Sequence, residues 1–230
     1  MHREATDLAG VRYEKFETLG STNAEALART RAGERGPLWI VAAAQTAGRG
    51  RRGAAWVSKP GNLYATLLLT EPSPKAAAPQ LSFVAALALH DAVAASTPQL
   101  GPSLALKWPN DLLLGGAKLA GILIEGESDP AFAVAIGIGV NCAHHPEATA
   151  YPATDLAACG ALVAPDVLLN ELAAAMARRL AQWDRGEGFA RIRADWLERA
   201  AGLGSDIRVR LPEREFSGRF EGLDAEGRFW

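Results

Sequence analysis

Residues 136–140 constrain the fold more than any other stretch, because Ile136, Ile138 and Val140 alternate there with Gly137 and Gly139. Alternation with a period of two is the signature of a strand, and the β-branched positions mark its core face. The other face then carries no side chains. Glycine weakens a strand, so a bare row implies that something lies flat against it. A closely packed helix and a bound ligand satisfy this condition equally well.

The segments around this strand read as a mixed α/β order. Residues 13–19 and 38–44 predict strands, separated by a helix from about Asn23 to Arg31 that Ser21 and Thr22 can cap. Asn62 to Thr70 predicts another strand. From Ala78 to Ala95 the apolar residues Leu81, Val84, Ala88 and Ala92 fall at helical spacing, and Pro98 and Pro102 follow the end. Leu104–Trp108 and Asp111–Leu114 predict short strands broken by Pro109, with a tight turn at Gly115 and Gly116. Lys118–Glu125 and Phe132–Val140 predict an antiparallel pair. After a loop over 142–160, Pro165–Trp183 and Phe189–Arg199 predict helices. Gly202 and Gly204 mark a boundary at about residue 201. Beyond it Ile207, Val209 and Leu211 alternate with polar residues, and Phe216–Phe220 and Arg228–Trp230 suggest further strands of a small β domain over 202–230.

At 230 residues the chain can bury one sizeable core. A net charge of −2 argues against a surface that grips nucleic acid throughout, so any basic site is local. The apolar run Leu81–Leu89 is closed by His90 and Asp91, and no segment is expected to span a membrane. Two cysteines, Cys142 and Cys159, imply no disulfide framework, and no zinc-like spacing is present. A cytoplasmic protein without a structural metal is expected.

Four segments carry chemistry. The first is Gln45 to Trp56, where Arg49, Arg51 and Arg52 stand among Gly48, Gly50 and Gly53. Glycines let backbone N–H groups approach an anion, and guanidinium groups add bidentate hydrogen bonds, so the natural ligand is a carboxylate or phosphate. Its like charges and lack of apolar anchors predict a loop that moves when empty. The same letters fit a dinucleotide fingerprint, but Pro60 and Gly61 leave no room for the helix it needs. An arginine–glycine nucleic-acid segment and a plain solvated loop are weaker readings. The second segment, Lys107-Trp-Pro-Asn-Asp111, would project Lys107, Asn110 and Asp111 toward one place, although the same letters suit an ordinary turn. The third, Lys118 to Glu125, opens an apolar strand with a lysine that suits a pocket rim, where charge interactions strengthen; a lysine at a strand start is also commonly just exposed. The fourth, Gly137 to Asn141, ends the glycine-faced strand on a donor and acceptor.

Together and in this order, these segments resemble the catalytic domain of biotin–protein ligases, whose pattern is close to G-R-G-R-x-G-R-x-W, K-W-P-N-D, K-x-x-G-I-L-x-E and G-x-G-x-N. Ser21-Thr-Asn23 matches as well, and the resemblance runs from about residue 13 to the end. It implies an α+β fold of the class II synthetase and lipoate ligase type, a mixed sheet with helices mainly on one face, followed by a small SH3-like β domain that looks incomplete here. It implies a ligase that joins biotin to ATP as biotinyl-5′-AMP, with Mg²⁺, and then passes biotin to a lysine of a carboxylase's biotin carboxyl carrier protein. Lipoate–protein ligase is the alternative within the fold, and a nucleic-acid-binding repressor the alternative outside it.

By the resemblance, Ser21, Thr22, Asn23 and Gln45 bind the biotin head. Gly121, Leu123 and Gly137 line the wall for its rings and chain. Arg49, Gly50 and Arg51 close over the carboxylate and phosphate. Lys118 bridges the two reacting groups, with Arg51 and Asp111 as further catalytic residues, Asp111 orienting or deprotonating the incoming lysine. Lys107 and Asn110 serve the nucleotide, Trp56 packs on adenine, and Asn141 contacts the nucleotide. The family loop usually has an arginine where this chain has Ala54. Only about a dozen residues precede the first expected strand, too few for the winged helix that some relatives use on DNA, so no DNA binding is expected. A homodimer paired through a sheet edge is compatible with the resemblance.

Overall fold

The computed structural model describes residues 3–147, 149, 151–210 and 215–230. Eight strands form one mixed sheet: β1 (Arg3–Leu8), β2 (Val11–Leu19), β3 (Leu38–Gln45), β4 (Leu63–Thr70), β5 (Leu104–Lys107), β6 (Asp111–Leu114), β7 (Ala117–Glu127) and β8 (Ala133–Val140). Their order is β1-β2-β3-β4-β8-β7-β6-β5, and every neighbouring pair is antiparallel except β2 with β3. That parallel pair needs a crossover, which α1 (Thr22–Arg31) supplies. Ser21 caps α1: its backbone is extended and its Oγ accepts from Ala24 N–H at 3.4 Å.

The remaining helices, α2 (Leu81–Ser96), α3 (Pro165–Trp183) and α4 (Phe189–Leu197), pack over the other face. Strand alternation divides the sheet between these layers. Leu63, Ala65 and Leu67 of β4 and Val134, Ile136, Ile138 and Val140 of β8 join the large core beneath α2 and α3. Leu68 of β4 and Ala133 and Ala135 of β8 join a smaller cluster with Ala26 and Leu27 of α1. The expected asymmetry of helices therefore holds.

The strand that begins the chain was not foreseen. β1 reads Arg-Glu-Ala-Thr-Asp-Leu and lacks the alternation that marks a half-buried strand, yet it pairs with β2 at the sheet's edge. The expectation that no segment is long and apolar enough to span a membrane also needs correction. Lys75–Ser96 passes that test by length and composition, because α2 is apolar on nearly every side. In the fold it is the core helix, with Leu81, Val84, Leu87 and Leu89 fully buried.

The C-terminal segment forms a hairpin, β9 (Asp206–Arg210) against β10 (Glu215–Arg219). Leu211, expected to extend the first alternation, lies outside the described residues. Residues 228–230 form no strand; only an isolated bridge joins Leu223 to Phe229. Phe220 and Leu223 enter the main core, and the Phe229 ring lies 4.5 Å from that of Trp108 and 4.6 Å from that of Phe220. Trp108 Nε1 donates to the carbonyl of Gly227 at 3.3 Å. The tail is thus fastened to the Lys-Trp-Pro-Asn-Asp turn.

Candidate active site

The bare row of β8 faces the α1 side of the sheet. A Cβ on Gly137 would stand 2.2 Å from Asn23 Oδ1, and one on Gly139 would stand 2.6 Å from Trp56 Nε1. On the next strand, a Cβ on Gly121 would come within 3.2 Å of the same indole. The first turn of a helix covers Gly137, and an indole lies across Gly139 and Gly121. Glycine is required at 137 and 139 because no side chain fits beneath these neighbours.

At the helix end of the floor, polar side chains satisfy one another. Gln45 Oε1 accepts from Thr22 N–H at 2.8 Å and from Thr22 Oγ1 at 3.2 Å. Gln45 Nε2 donates to Ser58 Oγ at 3.0 Å, which donates to the carbonyl of Trp56 at 2.9 Å. Asn23 has its amide engaged on every side. Its Nδ2 donates to the Leu123 carbonyl at 3.1 Å and to Glu125 Oε2 at 2.9 Å, and Thr66 Oγ1 stands 2.7 Å from its Oδ1. Ser21, Thr22, Asn23 and Thr66 are all buried, where an unpaired polar group would cost about 1–3 kcal/mol.

The arginine loop is laced into a small closed turn. Gly50 N–H donates to the Ala54 carbonyl at 2.7 Å, Trp56 N–H to the Gly48 carbonyl at 2.9 Å, and Arg49 and Ala55 form a bridge. The expectation of no apolar anchor is corrected, since Trp56 holds the end of the loop to the glycine floor. Arg49 Nη2 reaches Glu125 Oε1 at 3.3 Å. Arg51 Nη1 donates to Asn110 Oδ1 at 3.4 Å. Burial, then the neighbouring charge of Arg52, holds the Arg51 guanidinium below its ordinary pKa, with Asp111 acting in the opposite sense.

The turn between β5 and β6 supplies the facing wall. Asn110 is clamped to β7 twice, donating from Nδ2 to the Ile122 carbonyl at 2.7 Å and accepting Ile122 N–H at its own carbonyl at 2.9 Å. This clamp sets Asp111 beside Lys118, with Lys118 Nζ 2.7 Å from Asp111 Oδ1. The same ammonium lies 5.4 Å from the Trp56 ring centroid, within cation–π range. Lys107 Nζ sits 4.5 Å from the ring centroid of Tyr151. Asn141, almost fully buried, donates from Nδ2 to the Thr154 carbonyl at 3.0 Å, and Lys118 is bracketed by backbone bonds to Pro152 and Thr154.

These walls enclose one cavity of about 1120 Å³, and every candidate residue named from the sequence lines it. That is roomy for a single small ligand, which typically occupies about 300–1,000 Å³. Among the described residues six cationic side chains line it, those of Arg49, Arg51, Arg52, Lys107, Lys118 and Arg208, against a single carboxylate, Asp111. In a chain of net charge −2, this local excess of positive charge in one concave place suits a polyanionic ligand.

Several contributors escaped the sequence reading. Thr66 looks like any β-branched strand residue, and only its place beneath α1 reveals it. Glu125 closes a quoted motif but received no role. Tyr151 and the tail residues Ile207, Val209, Phe220 and Phe229 line the cavity without any motif of their own.

Residues 18–141 match the profile of the Biotin/lipoate A/B protein ligase family. The biotin--[acetyl-CoA-carboxylase] ligase of Paracoccus denitrificans is 48% identical, over 90% of this chain and 88% of that protein. Among solved structures, the biotin protein ligase of Aquifex aeolicus in complex with biotin and ATP superposes with a TM-score of 0.80 at 25% identity, covering 94% of this chain and 90% of that one. The Leishmania major biotin protein ligase in complex with biotinyl-5-AMP gives a TM-score of 0.73 at 27% identity, covering 94% and 93%. The chain has the biotin protein ligase fold and belongs to the biotin/lipoate A/B protein ligase family.

Proposed function

We propose that this enzyme activates biotin with ATP and transfers it to a lysine of a biotin carboxyl carrier protein. A carboxylate oxygen of biotin attacks the α-phosphorus of ATP, the bond to the β-phosphate oxygen breaks, and biotinyl-5′-AMP and pyrophosphate form. The carrier lysine's amine then attacks the acyl carbon, losing its proton as AMP leaves. The observation that carries this reading is the convergence of the arginine loop, Lys118 and Asp111 on a single cation-lined cavity.

Both steps place negative charge on oxygens, and fixed cations in a site that excludes water stabilise such charge most. In this reading Lys118 bridges the biotin carboxylate and the α-phosphate. Asp111 holds the Lys118 ammonium in place and orients the incoming amine. Among the described residues Arg51 has no carboxylate hydrogen bond, which leaves its fork for the phosphate. Ser21, Thr22 and Gln45 frame the ureido head, while Gly121, Leu123 and Gly137 form the apolar wall. Lys107, Asn110, Trp56 and Asn141 serve the nucleotide. Among the described residues no group of three or more His, Cys, Asp or Glu side chains gathers, so Mg²⁺ would be carried chiefly by the oxygens of ATP.

We assign residues 202–230 to a small β unit that completes the nucleotide side of the cavity, supported by Ile207, Val209 and Phe229 in its lining. The unpaired thiols of Cys142 and Cys159 support a cytoplasmic setting. We read the enzyme as one that does not bind DNA, since its net charge is −2 and the exposed arginines Arg12, Arg31, Arg35 and Arg228 are each paired with a carboxylate; tight, salt-sensitive retention of DNA on a filter would overturn this. The sheet ends on β1 and β5, and Leu106 of β5 is bridged to Ala200, so any homodimer joined edge to edge would use β1. The decisive assay is biotin-dependent exchange of labelled pyrophosphate into ATP. Exchange with biotin and none with lipoate is expected; the reverse would make the chain a lipoate ligase.

A further inference from the structure

Glu125 stands on β7 just beyond Leu123 and outside the cavity's lining, yet it holds two residues that line it. Its Oε2 accepts from Asn23 Nδ2 at 2.9 Å, and Arg49 Nη2 lies 3.3 Å from Oε1 and 3.4 Å from Oε2. One carboxylate thereby joins the first turn of α1, the strand β7 and the arginine loop. Among the described residues Arg49 has no other ion-pair partner. The three central cations differ in this respect. Arg49 is held by Glu125, Lys118 is held by Asp111 at 2.7 Å, and Arg51 meets only the amide of Asn110 at 3.4 Å.

Resting on the ligase reading above, we propose that Glu125 is a positioning residue that tethers Arg49 at the head end of the cavity and so keeps the arginine loop closed over bound biotin. The physical need is plain. Without that carboxylate, Arg49 and the loop that carries it lose their charged link to β7, and the head end of the cavity is held less firmly. Tethered through Glu125, Arg49 stays at the head, and Arg51 and Lys118 keep the reacting oxygens. Arg49 and Glu125 are 47% and 30% exposed, so the open pair is worth at most about 1 kcal/mol, or roughly fivefold in an equilibrium.

The test is Glu125→Gln, which keeps an acceptor for Asn23 and removes the charge that Arg49 meets. Biotin KM in pyrophosphate exchange should rise about fivefold, biotin release should quicken by a similar factor, and kcat should stay within about twofold. In an Arg49→Gln background, adding Glu125→Gln should change nothing further. Unchanged KM and release would overturn the proposal. So would a loss confined to kcat, or an effect that persists in full without Arg49, which would place the role in Asn23 alone. If Glu125→Gln melts too early to assay, Arg49→Gln alone must reproduce the changes in KM and release, and its failure to do so overturns the proposal. A wild-type protein without any biotin-dependent exchange would instead sink the ligase reading itself.

Discussion

On β8, Val134, Ile136, Ile138 and Val140 face the large core, while Ala133, Ala135, Gly137 and Gly139 face α1 and the cavity. The two rows are interleaved residue by residue along one strand. They are nevertheless built for opposite ends. The first row is large, apolar and fully covered by helices. The second shrinks toward its end, from alanine under the helix to glycine under Asn23 and Trp56. Because successive strand residues point to opposite faces, the chain can alter the site's floor without altering the core beneath it. Stability and chemistry are thus separated by parity along a single strand.

That separation can be broken in stages. The largest effect should come from Lys118→Ala. Removing the central cation should lower the exchange rate by about 10²–10³-fold with little change in melting temperature, since the side chain is not part of the core. A large loss of thermal stability instead would show that the lysine supports the fold. Ile136→Ala, one position from the floor but on the other face, should do the reverse. It should cost about 2–5 kcal/mol in denaturant unfolding while leaving biotin KM unchanged. A changed KM there would mean that the two faces are coupled.

Arg179 tests the helical layer above the core. It donates to Asp91 Oδ2 of α2 at 2.8 Å and to Asp195 Oδ2 of α4 at 2.5 Å. Arg179→Met should cost about 2 kcal/mol at neutral pH, as expected for hydrogen bonds to charged groups. Burial pushes both carboxyls up. For Asp91, bonding to His90 and then Arg179 more than offsets this; for Asp195, bonding to Gln182 and then Arg179 does so, and both end below their ordinary values. Groups with depressed folded values contribute stability above their unfolded pKa, near 4, and lose it as pH falls through the folded one. The wild-type melting temperature should therefore drop on acidification below about pH 4, and Arg179→Met should flatten that drop. An unaltered acid limb would place the acid sensitivity elsewhere.

A smaller effect is expected at the floor. Gly137→Ala places a methyl where Asn23 now sits, and relief requires the first turn of α1 to shift. Biotin KM should rise about tenfold, roughly 1.4 kcal/mol, and unfolding should cost about 1–3 kcal/mol, as for an overpacked site. An unchanged KM would show that Asn23 can give way freely. The smallest effect concerns the arginine loop, where Ala54→Arg adds a cation at the cavity's edge. The adenylate should dissociate about two- to fivefold more slowly in single-turnover release. Faster release would contradict the view that this position contributes to closure.

Much of this was legible in the sequence because its signals are local. The glycine alternation of β8, the apolar run of β4, the Ser21 cap and the four motif segments each depend on residues close together in the chain. Their arrival in one cavity follows from the resemblance rather than from periodicity. Glu125 and Thr66 were not legible as site residues, since each acts through partners about a hundred and about forty positions away. β1 was missed because its residues do not alternate. Where the tail's strands dock was not legible, because alternation says nothing about a strand's partners; its Phe220 and Leu223 join the main core.

The indole of Trp56 rests on the floor between Gly121 and Gly139, and its buried Nε1 has no acceptor among the described residues. The pocket is therefore already covered at that spot by the protein's own ring. A ligand that claimed the same patch would have to displace a tryptophan side chain. Measured affinity then combines the grip on the guest with the ease of evicting the tenant, and substitutions that never touch the guest can tune the second quantity alone.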